Sequence, residues 1–301
     1  MPGCSYEGNP ASVPTTLRRP KAPDYTITNR MKSTIITSLL AVAFTATLSA
    51  QSTLRLRGSD TLGAKLVPQW AEGFKKKGGN ASFDIAAEGS STAFTNLAAG
   101  TADIGMSSRK VKDEERTFCK TKGVFLKEVN VAWDMITIVV NKSNPVQDLT
   151  KKQIAGIFSG AIKDWSEVGG TAGPISVYTR NTSSGTYKDF QGLAMGGKDY
   201  GSNSQKMAGN EQIASEVGNN KNGIGYCGLA YSHAKGIKVV NVDGKQAEPS
   251  SVKSYPLSRP TFFYTNGDAK GPAKEFIDFC LSAEGDRIAG VVGFVPLSVA
   301  K

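Results

Sequence analysis

The chain has 301 residues, of which 39% are hydrophobic and 21% charged, a balance ordinary for a soluble globular protein and a length sufficient for one large or two medium domains. It carries 36 Lys/Arg against 26 Asp/Glu, and a net charge of +10 suits an anionic ligand. A single histidine with four cysteines is too sparse a set for a zinc site, and no basic block exceeds Lys75-Lys76-Lys77, which argues against nucleic acid as a partner.

Residues 1–30, rich in Pro, Thr and Arg, read as a disordered extension or a mis-called upstream start. Met31-Lys32 then opens a basic region, Ile35 to Ser49 is apolar without charge, and the small residues Ser49, Ala50 and Ser52 follow. This is the layout of a secretory signal peptide over 31–50, too short to span a membrane comfortably, with an uncleaved anchor as the rival reading. Cleavage after Ala50 and after Ser52 fit equally, and no cysteine sits there to accept a lipid. The exported remainder keeps 31 Lys/Arg against 24 Asp/Glu.

Beyond residue 52, strand-like and helix-like stretches alternate, which predicts an α/β class. Three strand-to-helix joints share one chemistry. Leu54-Arg55-Leu56-Arg57 alternates as a strand does and runs into Gly58-Ser59-Asp60-Thr61, after which Leu62, Leu66, Val67, Trp70 and Phe74 recur at helical spacing. Ser82 to Ala87 leads into Glu88-Gly89-Ser90-Ser91-Thr92, with Phe94, Leu97 and Ala98 on one helical face. Ile175 to Tyr178 precedes Thr179-Arg180-Asn181-Thr182-Ser183-Ser184-Gly185-Thr186, and Tyr187, Phe190 and Leu193 continue as a helix.

Each joint places hydroxyls and small residues at a helix start, where unpaired N–H groups and partial positive charge attract anions. Any one joint could be an ordinary Ser/Thr N-cap. Three together, one with an arginine able to bind an oxyanion through two parallel bonds, point to a converging anion site.

Val131 to Val140 and Tyr255-Pro256-Leu257-Ser258-Arg259-Pro260 with Thr261 to Tyr264 read as long buried strands. Asp134 stands among apolar neighbours in the first and is therefore either paired or functional. Gly223-Ile224-Gly225-Tyr226-Cys227-Gly228 matches GxGxxG, but a loop precedes it and a strand continues through it, which is the wrong context for a dinucleotide. A Ser-His-Asp hydrolase would depend on the lone His233, with no GxSxG near it. Cys119, Cys227 and Cys280 have no metal spacing, and one disulfide among them is left open.

The motif set resembles the periplasmic phosphate-binding proteins of phosphate-specific ABC transporters. It comprises Gly58-Ser59-Asp60-Thr61, Gly89-Ser90-Ser91-Thr92 and Gly100 through Met106-Ser107-Ser108-Arg109. It continues with Leu149-Thr150, Ile157 to Gly160 and Asp164 to Gly170, and then with Arg180 and Ser184-Gly185-Thr186. Gly223 to Tyr226 and Tyr255 to Pro260 complete it, in order over residues 53–300.

The resemblance implies an α/β, two-lobed type II binding-protein fold hinged on two crossover strands. Lobe I would be residues 53–134 with 256–301, and lobe II residues 135–255. It implies that Thr61, the Leu62 N–H, Ser90, Ser108, Arg109, Arg180, Ser184, Gly185 and Thr186 bind inorganic phosphate in the cleft. Many relatives have an acid at Ser108 and another near Thr182; a compact subgroup reads Ser-Arg at 108–109 with an aspartate on the first crossover, which makes Asp134 the implied proton acceptor. The expected protein is a periplasmic monomer without cofactor or metal, is not an enzyme, and delivers phosphate to a permease. Sulfate, molybdate or tungstate on the same fold, and a phosphatase or serine hydrolase, are the rival readings.

Overall fold

The structure, a computed structural model, describes residues 52–300, so the expected extension and signal peptide lie outside the described residues. The elements run β1 (Ser52–Gly58), α1 (Asp60–Gly63), α2 (Leu66–Lys76), β2 (Ala81–Ala86), α3 (Ser90–Ala98), β3 (Ile104–Ser107), α4 (Asp113–Thr121), β4 (Leu126–Asn141), β5 (Asp148–Leu149) and α5 (Lys151–Phe158). They continue with β6 (Ser176–Arg180), α6 (Gly185–Leu193), β7 (Gln205–Met207), α7 (Asn210–Asn219), β8 (Gly223–Gly228), β9 (Ile237–Val242), β10 (Ser258–Asn266), α8 (Gly271–Cys280) and α9 (Ala283–Val292).

The strands join in the order β2-β1-β3-β10-β4-β8-β6-β7, with β9 on β4 and β5 on β9. The 16-residue β4 is the seam. Up to Met135 it pairs antiparallel with β10, and from Ile136 onward it pairs with β8 and β9. The chain returns to the first half through Tyr255–Leu257, where the Ile136 N–H donates to the Leu257 carbonyl at 3.0 Å.

Alternation along β4 explains why its apolar run is continuous. Ile136, Ile138 and Val140 pack with Phe158, Phe190 and Tyr226, whereas Val139 packs on the other side with Ile213 and Val217. A strand covered on both faces has no solvent side to be polar. In the other half, Leu54 and Leu56 of β1 share a core with Trp70, Phe74, Phe263 and Phe276. Trp70 meets Phe263 edge-on at 5.8 Å and Phe74 meets Phe276 at 5.6 Å, the geometry that ring quadrupoles favour.

The helical spacing from Leu62 to Phe74 predicts one helix, and the structure makes two. Pro68 is the reason: it has no N–H to give to the carbonyl of Ala64, and its ring would crowd that carbonyl in a continuous helix. The chain therefore ends α1 after one turn and restarts at Leu66, where Pro68 falls in a first turn that needs no such bond. The GxGxxG stretch is strand β8 with all six residues buried, which rules it out as a phosphate loop. Cys119, Cys227 and Cys280 are free and buried, and His233 is exposed.

Candidate functional site

The three joints meet at the seam. Gly185, the first residue of α6, lies against α3 so closely that a Cβ there would collide with Ser90 Oγ and stand 2.7 Å from Ser108 Oγ. Gly89 has φ 128° and faces Ser183, whose Oγ would be 2.7 Å from a Cβ. Glycine is required at both positions, for close approach at the first and for conformation as well at the second. The Ser91 N–H donates to the Ser183 carbonyl at 3.1 Å, and the Ser183 hydroxyl donates to the Glu88 carbonyl at 3.0 Å, which ties the second joint to the third. The first joins through Thr61 Oγ1, 2.9 Å from Thr186 Oγ1.

The N-cap explanation holds for one joint of the three. Ser184 caps α6 by accepting from the Tyr187 N–H at 3.2 Å, but α1 and α3 have no side-chain cap, and Thr61 and Ser90 are buried inside their first turns. The Leu62 N–H, by its place in the first turn of α1, lacks an intrahelical acceptor.

The four hydroxyls share a polarity. Thr186 Oγ1 accepts from Arg259 Nη2 at 2.7 Å, Thr61 Oγ1 from Asn210 Nδ2 at 3.3 Å, Ser90 Oγ from the Ser108 N–H at 3.0 Å, and Ser184 Oγ from the Tyr187 N–H. With a lone pair of each oxygen engaged by the framework, each is left to donate its own proton, and one of Thr61 and Thr186 donates to the other. Ser108 Oγ lies 3.2 Å from Ser90 Oγ in the same cluster.

Arg180, only 1% exposed, sits at the end of β6. Nη2 donates to the Ala208 carbonyl at 2.8 Å, and Asp60 Oδ2 stands 3.1 Å from Nη1, while Nε and Nη1 make no aligned hydrogen bond. Burial pulls the guanidinium below its ordinary pKa, and Asp60 opposes that shift. Buried donors left this way need an acceptor.

Asp134 is paired, one of the two things its sequence allowed. Its Oδ2 is held by Arg259 through Nε at 3.1 Å and Nη2 at 2.7 Å, and its Oδ1 is buried without a partner. Arg259 Nη1 also reaches Asp189 Oδ2 at 3.4 Å. Burial raises the Asp189 carboxyl, with Arg259 opposing.

Arg109 is largely engaged by the framework, with its buried Nε left without a partner. Its guanidinium is committed to Glu115 at 2.6 and 2.8 Å, to the Lys110 carbonyl and to Ser91 Oγ, and it lies 5.6 Å over the Phe94 ring. It braces α3 against α4, since Glu115 takes up the charge that an anion would have answered. Four residues absent from the sequence-derived set belong to this network: Asp60, Asp189, Asn210 and Arg259. Arg259 carried a signal, a charge inside a strand expected to be buried, and Asp60 lies in the first joint; Asn210 offered none. Among the described residues no group of His, Cys, Asp and Glu is arranged to hold a metal.

Residues 45–284 match the PBP superfamily domain. The phosphate-binding protein PstS of Pseudomonas aeruginosa is 34% identical over 265 residues, covering 80% of this chain and 81% of that protein. The chain belongs to the PstS-type phosphate-binding proteins. A phosphate ABC transporter substrate-binding protein from Clostridium perfringens, solved with bound phosphate, superposes with a TM-score of 0.75 at 37% identity, covering 82% of this chain and all of that one. An ABC-type phosphate transport receptor from Vibrio cholerae gives 0.66 at 27%, covering 80% and 99%. As in that family, the architecture is two-lobed.

Proposed function

We propose that this PstS-type protein captures inorganic phosphate at the meeting point of the three joints and passes it to the permease of an ABC transporter. The observation that carries this reading is the polarity of the cluster. The clustered hydroxyls are set to donate, with one proton shared between Thr61 and Thr186, Arg180 keeps buried Nε and Nη1 without aligned hydrogen bonds, and one buried carboxylate oxygen, Asp134 Oδ1, has no partner. Near neutral pH phosphate has oxygens for the donors and a P–OH for the acceptor. Sulfate would face Asp134 with lone pairs only, and a buried polar group left unpaired rejects near-isosteres by factors on the order of 10⁴.

In this reading Thr61, the Leu62 and Gly185 N–H groups, Ser90, Ser108, Arg180, Ser184 and Thr186 donate, and Asp134 accepts. Arg109 stays a framework residue. Lobe I comprises 53–134 with 256–301 and lobe II 135–255, supported by the change of partners along β4 between Met135 and Ile136. The protein is taken as a periplasmic monomer exported through the 31–50 signal; no helix among the described residues is long and apolar enough to cross a membrane. Calorimetric titration of the purified protein is the test. Phosphate and arsenate should bind strongly and sulfate hardly at all, and equal binding of phosphate and sulfate would discard the phosphate assignment.

A further inference from the structure

Arg259 touches every part of the acceptor side of this site. It lies on β10 directly opposite Asp134 of β4, and its side chain is 3% exposed. Two of its nitrogens, Nε and Nη2, hold the same oxygen of Asp134, so one carboxylate oxygen is immobilised and the other is left to the site. The same Nη2 occupies a lone pair of Thr186 Oγ1, which turns that hydroxyl's proton outward toward Thr61 or an incoming oxyanion. Nη1 reaches Asp189 on α6 at 3.4 Å. The planar fork of arginine reaches three partners in fixed directions; a lysine ammonium could satisfy one or two of them and would leave the carboxylate free to turn.

We propose that Arg259 is a positioning residue that sets the selectivity of the site for protonated tetrahedral oxyanions, by presenting a single oxygen of Asp134 as acceptor and the Thr186 hydroxyl as donor. The proposal rests on the phosphate reading above. Four of the five Arg259 N–H groups are answered by Asp134, Thr186 and Asp189, and the proposed effect on the ligand runs through the first two.

The test compares the ratio of phosphate to sulfate affinity, measured by calorimetry, in the unmutated protein, Arg259→Lys and Arg180→Lys. Arg259→Lys should reduce the ratio by about tenfold or more, because phosphate weakens while sulfate holds or strengthens. Arg180→Lys should weaken both ions and keep the ratio within about threefold, since that residue serves oxygens common to both. A proportional loss of both ions in Arg259→Lys, or an unchanged ratio, overturns the proposal. If the unmutated protein does not prefer phosphate, the phosphate reading itself fails, a result distinct from either of these.

Should Arg259→Lys not fold, as judged by circular dichroism, the double variant Asp134→Asn/Arg259→Gln removes both charges of the β4–β10 pair and leaves only the partly exposed Asp189 of α6 without its partner. Its ratio should equal that of Asp134→Asn alone. A further tenfold change would mean that Arg259 acts by another route, and the proposal would fall.

Discussion

Arg180 and the hydroxyls do different amounts of work, and their burial and bonding rank them. In the proposed site Arg180 offers buried N–H groups lacking aligned partners, so Arg180→Ala should remove a charged hydrogen bond worth about 1.5–3 kcal/mol. Phosphate affinity should fall about ten- to a hundredfold in calorimetry. Thr61→Val and Ser90→Ala each remove one neutral donor, about 0.5–1.5 kcal/mol, and should cost about tenfold or less. Normal phosphate binding by Arg180→Ala would put the ligand elsewhere. The cysteines have no part in this chemistry: burial pushes the Cys227 thiol up to about 12 and raises that of Cys280.

The helix that carries Ser184, Gly185 and Thr186 is held in place by its other end. Phe190 of α6 is fully buried, stacked on Tyr226 at 4.0 Å and set edge-on to Phe158 at 4.7 Å. Phe190→Ala should destabilise the fold by about 3–5 kcal/mol, seen as a lower urea midpoint, and should weaken phosphate binding because α6 loses its seat. Gly185→Ala separates the two effects. Alanine is the better helix former by about 1 kcal/mol, so α6 itself does not suffer. The added Cβ, however, meets Ser90 Oγ and Ser108 Oγ from the opposite joint. Overpacking of this kind costs about 1–3 kcal/mol, and phosphate affinity should drop by about ten- to a hundredfold without loss of helix signal. A Gly185→Ala protein that binds as the unmutated one does would show that α3 and α6 need not approach so closely.

For the molecule as a whole, the ligand is expected to act as a clamp. Thr61 with Thr186, Asp60 with Arg180 and Asn210, and Ser91 with Ser183 all cross from one half of the sheet to the other. An anion held by groups from both halves binds the folded chain and not the unfolded one. Phosphate at about a hundred times its Kd should therefore add about 2.7 kcal/mol to unfolding, with a raised urea midpoint, while sulfate at the same concentration adds nothing measurable. A midpoint that moves equally with both ions would indicate general salt exclusion in place of a site. Closure about the β4 and Tyr255–Leu257 connections is the kind of hinge motion such a clamp uses.

Much of this was legible in the chain because the relevant physics is local. A strand running into a Gly-Ser or Ser-Gly-Thr turn and then a helix is a contiguous pattern, so the three joints, the α/β class and Arg180 could be read without coordinates. The interruption at Pro68 was equally local, yet the spacing of Leu62 to Phe74 masked it. The pairings were not local. Asp134 finds Arg259 at 125 residues' separation, Asn210 finds Asp60 at 150, and Thr61 finds Thr186 at 125. No periodicity encodes which atoms of such distant segments will meet. Asp134 could be named as a charge in need of a partner, but the partner, the free oxygen and the diversion of Arg109 to Glu115 follow from strand register and helix packing. Tertiary structure decided them because desolvation makes an unpaired charge costly only once folding has buried it, and its surroundings then determine what can answer it.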